Sequence, residues 1–410
     1  MVPPSKSLTQ RALLAAALAG RRSAVRRPLD AEDSRLLAVA LGGLGFRLSW
    51  GADAVEALGR DEVGGAELFL GNNGTGARLL LAQLAALPGD WLLDGSPRLR
   101  ERPVGGLVTT LRALGADIAP AGGGRSGADA LPLRVRGQTL RGGTVALDAS
   151  ASSQFVSALL LLAPRLPGGL EVELAAAPPS RPYVGLTLEV LRAFGAAVET
   201  RGDGRWFRVA GPLRPATYTV EGDWSAAAFP CAAVAVAGGA ATVAGVRLDS
   251  AQGDAVIARL LAEAGCSVRE TSDGIAISGP ALRPVHADLR DTPDLFPALA
   301  VVVALVGGRL TGLAGLATKE SDRLAVMVES LRALGLPVRA EGESFTGAGG
   351  RPVGHAPAGP LDPADDHRVA MALAVAGTVV PGLRVAQPGC VGKSWPGFWQ
   401  DWRTLLGEES

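Results

Sequence analysis

The stretch Leu111-Arg112-Ala113-Leu114-Gly115-Ala116-Asp117-Ile118 reads as the end of a helix followed by the start of a strand. Leucines at helical spacing stop at a glycine, the residue that takes φ > 0 beyond a helix end at least steric cost. Nearly the same text returns as LRAFGAAVE at 191–199 and as LRALGLPV at 331–338. Looser copies end at Leu44-Gly45, Ala264-Gly265 and Leu406-Gly407, so that successive glycines stand 70, 80, 70, 70 and 72 residues apart. Chance recurrence in a Leu/Gly-rich chain explains one or two copies, not five near-equal intervals. LPLRVRG at 131–137, RWFRVAG at 205–211 and GIAISG at 274–279 alternate and end in glycine, as strands do before turns. A fixed period containing both helix and strand indicates repeated α/β supersecondary units. Six units divide into two lobes of three, with the crossing expected between Gly211 and Gly222, where two prolines interrupt any periodicity. A cleft between lobes is a common place for a small ligand.

Composition narrows the partners. The 410 residues exceed one ordinary domain, and 48% hydrophobic content with only 4% aromatics requires cores of Leu, Val and Ala. Lys+Arg and Asp+Glu both number 40, which argues against a sequence-independent nucleic-acid binder. Cys231, Cys266 and Cys390 are odd in number and far apart, which points to a reducing compartment rather than a disulfide framework. No signal segment is apparent and apolar stretches such as 297–308 are too short to span a bilayer, so a soluble, cytoplasmic protein is expected. Among forty basic residues only Lys6, Lys319 and Lys393 are lysine. An ammonium is a compact charge that can lose its proton, unlike the guanidinium fork, so all three lysines are expected to be functional.

Several polar clusters interrupt the apolar text. Pro3-Pro4-Ser5-Lys6-Ser7-Leu8-Thr9-Gln10-Arg11 leads into a helical run, with Ser7 placed to cap it and Arg11 on the face of Ser7. Lysine, serine and arginine at a helix start suit an anion. Gly71-Asn72-Asn73-Gly74-Thr75-Gly76-Ala77-Arg78 joins a strand-like to a helix-like segment and offers backbone N–H groups to a phosphate. It is neither GxGxxG nor a Walker loop. A GxGxxG does occur at 122–127 but no helix pattern follows, and Gly392-Lys393-Ser394 lacks the first Walker glycine, Gln387 standing there. Ala317-Thr318-Lys319-Glu320-Ser321-Asp322-Arg323 is expected to open a helix with Lys319 and Arg323 on one face, against the macrodipole. Asp291-Thr292-Pro293-Asp294 stands at the entrance of a strongly apolar run. Arg100-Glu101-Arg102-Pro103, Ser152-Ser153-Gln154, Ser180-Arg181-Pro182-Tyr183 and Asp365-Asp366-His367-Arg368 are weaker singly. Together they describe cations, hydroxyls and amides with two carboxylates and no metal-type His/Cys grouping, a site for small ligands bearing several phosphates or carboxylates.

PPSKSLTQRAL, LFLGNNGTGARL, ERPV, SSQFVSALL, SRPY, GDWSAAAF, DTPDLFP, KESDRL, DDHRVAMA and GKSWPGFW, in this order over essentially the whole chain, resemble the motifs of the 5-enolpyruvylshikimate-3-phosphate synthase family. The resemblance implies an α/β (α+β) fold of two lobes, each of three βαβαββ units, here 8–218 and 1–7 with 219–410. It implies transfer of the enolpyruvyl group of phosphoenolpyruvate to the 5-hydroxyl of shikimate 3-phosphate, on the route to aromatic amino acids, with no cofactor or metal. A monomer with no nucleic-acid or membrane partner is expected. By motif position, Lys6, Ser7, Arg11, Ser152, Ser153, Gln154, Ser180, Asp294 and Lys319 would hold shikimate 3-phosphate. Lys6, Gly74, Arg102, Gln154, Arg323, Arg368 and Lys393 would hold phosphoenolpyruvate. Asp294, Glu320 and Lys6 would be catalytic, Asp294 taking the hydroxyl proton and Glu320 protonating the methylene carbon. Surrounding cations lower a carboxyl pKa, in tension with an acid role for Glu320.

Three positions depart from that family's pattern. The family usually has one more strand before the motif at Pro3, so either a misassigned start or a missing strand is expected. Gly315 and Ala317 stand where Asn and Arg are usual, weakening the sugar-phosphate grip, and Leu79 stands where Pro is common. The alternatives are a sister transferase acting on UDP-N-acetylglucosamine, which typically uses a loop cysteine as acid, an RNA 3′-phosphate cyclase-like enzyme, and a catalytically impaired anion-binding homologue. Cys231, in the apolar segment AAAFPCAAVAVA, reads as core rather than as that acid.

Overall fold

A computed structural model describes residues 1–122, 130–352 and 356–407. The glycine-rich 122–127 run falls almost entirely outside the described residues. The chain forms two compact units, Ser5–Val220 and Met1–Pro4 with Glu221–Ser410.

In the first unit three four-stranded sheets share one topology. Each has a parallel edge pair followed by two antiparallel partners: Gly65–Phe69 beside Gly89–Asp94, then Leu133–Gly137 and Asp117–Pro120. Gly143–Leu147, Leu170–Leu174, Trp206–Ala210 and Ala197–Thr200 repeat it. In the remaining sheet the parallel partner of Ser23–Arg26 is Thr217–Thr219, from the far end of the unit's sequence. Two kinds of helix serve these sheets. The crossover helices Lys6–Ala19, Gly74–Ala85 and Ser153–Leu162 are apolar nearly all round and buried along most of their length. That is the expected state of a helix without a polar face. The outer helices Glu32–Gly43, Gly105–Ala113 and Arg181–Ala193 end at the recurring signature. Gly45 shows why glycine is required there: its φ is 85°, and an added Cβ would overlap the Asp61 carbonyl oxygen.

The second unit varies the pattern. Val285–Asp288, Gly308–Thr311, Ser344–Gly347 and Val338–Glu341 reproduce the four-stranded sheet. The sheet of Gly239–Ala244, Gly274–Gly279 and Ser267–Glu270 has three strands, with Gly239–Ala244 at one edge. A parallel neighbour for that edge strand does not occur among the described residues, although the Val2 N–H donates to the Ala244 carbonyl at 3.1 Å. The sixth repeat keeps its helices, His367–Gly377 and Phe398–Leu406, but its strands shrink to one parallel bridge, Leu361 with Val385. Among the described residues, five of the six expected units therefore carry a sheet, one of them with three strands rather than four. The buried helices Trp224–Ala237, Phe296–Val306 and His367–Gly377 form the core of this unit. Cys231 lies within it, fully buried, its thiol pushed up to about 12 by desolvation and by Cys266. That excludes it as an exposed acid.

Candidate active site

In the Ser5–Val220 unit most of the candidate side chains stand at the beginnings of the three buried helices. The first helix starts at Lys6, and its cap is Ser5, not Ser7: Ser5 has extended backbone, and its hydroxyl accepts from the Leu8 N–H. Ser7 lies inside the first turn, where its carbonyl accepts from Arg11 Nη1 at 2.9 Å. Lys6, almost buried, pairs with the buried Asp33 at 3.0 Å. Arg11 is 1% exposed and is held by neutral hydroxyls, Nε donating to Thr187 Oγ1 at 2.7 Å and Nη2 to Ser157 Oγ at 3.3 Å. Desolvation draws its pKa down to about 10, against the opposing influence of Tyr183 and Tyr218.

The second helix is capped by Asn73, whose Oδ1 accepts from the Gly76 N–H at 2.8 Å while Nδ2 donates to the Asp33 carbonyl at 2.8 Å. Gly74, its first residue, lies against Arg102: an added Cβ would stand 2.5 Å from the guanidinium carbon. Leu79 is buried within this helix, which forms from Gly74 without the proline. The third helix is capped by Ser152, which accepts from the Gln154 N–H at 3.2 Å, and Gln154 Nε2 reaches Thr75 Oγ1 at 2.9 Å. Ser180 precedes the Arg181–Ala193 helix with φ 57° and ψ 40°, an uncommon conformation for a serine.

In the other unit the ionic centre is Asp294. Its Oδ1 meets Arg323 Nη1 at 2.9 Å and Lys319 Nζ at 3.5 Å, and its Oδ2 meets Arg368 Nη2 at 3.1 Å. Burial alone would raise the Asp294 pKa, but Arg368, Lys319 and Arg323 outweigh it and hold the carboxyl well below the usual range. Arg323, fully buried, also reaches Glu320 Oε2 at 2.7 Å and Asp366 Oδ2 at 2.8 Å. Asp366 further accepts from the Ser321 hydroxyl at 3.1 Å and caps the next helix by accepting from the Arg368 N–H at 2.9 Å.

The expected helix across 317–323 is corrected here. Ala314–Thr318 forms a 3₁₀ turn and the α-helix begins at Arg323, capped by Asp322. Lys319 and Arg323 therefore do not share a helical face; they converge because both reach Asp294. Lys393 ends the 3₁₀ turn Pro388–Lys393 and is buried. Of the two cations only Arg323 stands in a first helical turn, where Asp294, Glu320 and Asp366 offset its opposition to the macrodipole.

Sequence reasoning assigned no role to Asp33, Ser157, Thr187, Asp254 or Asp366. Asp366 stood in a noted cluster, and Ser157 is a lone hydroxyl in an otherwise apolar helix. Asp254, 3% exposed, accepts from the Ser225 hydroxyl, and its pKa is pushed up to about 7 by burial and then by the charge of Asp294. Ser225, Arg368 and Asp223 also act on it, the first two downward.

Repeated sheets with buried crossover helices, and buried cations held against carboxylates at helix starts, define a protein suited to small anionic ligands. More particularly, residues 1–402 match the family model described as EPSP synthase (3-phosphoshikimate 1-carboxyvinyltransferase), and the chain belongs to that family. Curated 3-phosphoshikimate 1-carboxyvinyltransferases from Methanoculleus marisnigri and Syntrophobacter fumaroxidans are 41% and 40% identical to it. They align over 99% and 98% of this chain and 95% and 96% of their own. An EPSP synthase structure from Acinetobacter baumannii superposes with a TM-score of 0.78 at 27% identity, covering 98% of this chain and 94% of that one. The reading as a sister transferase with a loop cysteine acid is not supported.

Proposed function

We propose that this protein transfers the enolpyruvyl group of phosphoenolpyruvate to the 5-hydroxyl of shikimate 3-phosphate. The observation that carries the reading is Asp294 within 3.5 Å of three cations, with Glu320 on one of them, in a chain of this family. Asp294 takes the hydroxyl proton as the sugar oxygen bonds to C2 of phosphoenolpyruvate, and Glu320 gives a proton to C3. The tetrahedral adduct then loses a C3 proton while its C2–O bond to phosphate breaks, leaving the enolpyruvyl ether and inorganic phosphate.

The ion pairs set a condition on this chemistry. A carboxylate ringed by Arg368, Lys319 and Arg323 is a weak base. Bound phosphate and carboxylate groups compete for the same cations, and as those turn to the ligands the basicity of Asp294 recovers. Lys319 and Asp294, together with Lys6, Ser7, Arg11, Ser152, Ser153, Gln154 and Ser180, serve shikimate 3-phosphate. Gly74, Arg102, Arg323, Arg368 and Lys393 serve phosphoenolpyruvate, shared with Lys6 and Gln154. The cations orient two anions that otherwise repel each other.

The test is phosphate release from phosphoenolpyruvate with shikimate 3-phosphate or UDP-N-acetylglucosamine as acceptor. Turnover with the first alone is expected. Turnover only with the second, or none with either, overturns the reading.

A further inference from the structure

We propose that Arg78 is a positioning residue, whose guanidinium fork sets the side-chain amide of Gln154 and the backbone beside Arg102 for one anionic ligand. The proposal rests on the functional reading above, in which Gln154, Arg102 and Gly74 meet phosphoenolpyruvate. Arg78 sits in the second turn of the Gly74–Ala85 helix and is 4% exposed. Its Nε and Nη2 both donate to the Pro103 carbonyl, at 3.2 and 2.8 Å. Nη1 donates to Gln154 Oε1 at 2.7 Å and toward the Gly74 carbonyl at 3.4 Å. The Phe155 ring lies 5.7 Å from the guanidinium carbon. One planar group thus joins the Gly74 helix start, the turn after Arg102 and the first turn of the Ser153–Leu162 helix.

The consequence for Gln154 is a fixed amide. Its oxygen is taken by Arg78, and its nitrogen faces Thr75 Oγ1 at 2.9 Å. An amide held this way presents N–H, not C=O, to the loop carrying Gly74, and an anion requires donors there. The consequence for Arg102 is a fixed approach. Pro103 is the next residue, and Arg102 already lies so close to Gly74 that a Cβ there would overlap it. A lysine at 78 keeps the charge but has no fork, so it can reach Pro103 or Gln154 and not both.

The experiment uses Arg78→Lys, Gln154→Leu and the double variant in the full chain. The wild type is assayed first with phosphoenolpyruvate and shikimate 3-phosphate; an inactive wild type counts against the function, and the comparison then moves to calorimetric binding of phosphoenolpyruvate. Arg78→Lys should raise the phosphoenolpyruvate KM, or Kd, at least tenfold with kcat changed less than threefold, because the lost contact is common to ground and transition states. The double variant should be scarcely worse than the weaker single one, since both remove the same oriented amide. Should Arg78→Lys not fold, Arg78→Gln, which keeps an N–H for the Pro103 carbonyl, takes its place. A KM within twofold of wild type, strict additivity in the cycle, or a fall in kcat at constant KM overturns the proposal.

Discussion

Gly74 illustrates how little room the site leaves. Alanine at 74 puts a methyl 2.5 Å from the Arg102 guanidinium carbon, and the guanidinium must move because the backbone of the helix start cannot. Gly74→Ala is therefore expected to raise the phosphoenolpyruvate KM at least tenfold, about 1.4 kcal/mol of binding, with the melting temperature within a few degrees of wild type. Steady-state kinetics at saturating shikimate 3-phosphate decides it, and an unchanged KM would show that Arg102 does not face this ligand. Lys393 offers a complementary case. It is buried at the end of its turn, where a guanidinium is wider than the ammonium it would replace. Lys393→Arg is expected to lower kcat/KM for phosphoenolpyruvate at least tenfold despite the conserved charge, and near-wild-type efficiency would remove Lys393 from the site.

At the scale of elements, the segment before Lys319 is one of the three places where the resemblance leads one to expect other residues, Asn at 315 and Arg at 317. Gly315 lies in the 3₁₀ turn Ala314–Thr318, and an added Cβ there would meet nothing within 4 Å. The turn therefore accepts a side chain without rearrangement. The double variant Gly315→Asn, Ala317→Arg is expected to lower the shikimate 3-phosphate KM by threefold or more while leaving that of phosphoenolpyruvate unchanged; a KM that rises shows the turn cannot carry those side chains inward. This same region marks the limit of what the sequence reveals. The outer helices were legible because glycine at positive φ ends each of them, as at Gly45 and Gly115. The Lys319 segment was misread as helix because an i, i+4 pair of cations satisfies helical spacing without requiring a helix. The roles of Asp33 and Asp366 are not legible for a different reason: each acts by meeting a cation distant in sequence, and no local period encodes that. The cap falls at Ser5 rather than the expected Ser7 because two serines on either side of Lys6 cap equally well on paper.

Across the whole molecule, stability is expected to depend on pH through Asp254. Burial raises its folded-state pKa to about 7 from an ordinary 3.8, so the native protein binds a proton that the unfolded chain has released. The sign follows: the stabilisation is complete below the unfolded pKa and is lost as pH rises through the folded one. Unfolding free energy should fall by on the order of 2–4 kcal/mol between about pH 4 and about pH 7 from this group alone, superposed on the opposite trend from Asp294 at lower pH. In Asp254→Asn, which cannot titrate, urea midpoints should vary less over that range, and an unaltered pH slope would show that the proton sits elsewhere.

The three-stranded sheet leaves Gly239–Ala244 as a socket. Four other sheets fill the corresponding position with a parallel strand, and here, among the described residues, the backbone of Val2 reaches the row at its last carbonyl, that of Ala244. The sequence of the strand, GAATVA, has no charge, proline or bulky side chain to turn an incoming backbone away. Such an edge, with no parallel partner strand among the described residues, presents its backbone N–H and C=O groups to an added extended strand. The same openness makes it a handle for engineering. A short alternating segment fused ahead of Met1 can run back along this row, and a strand so tethered is expected to raise the melting temperature, where a proline-bearing control is not.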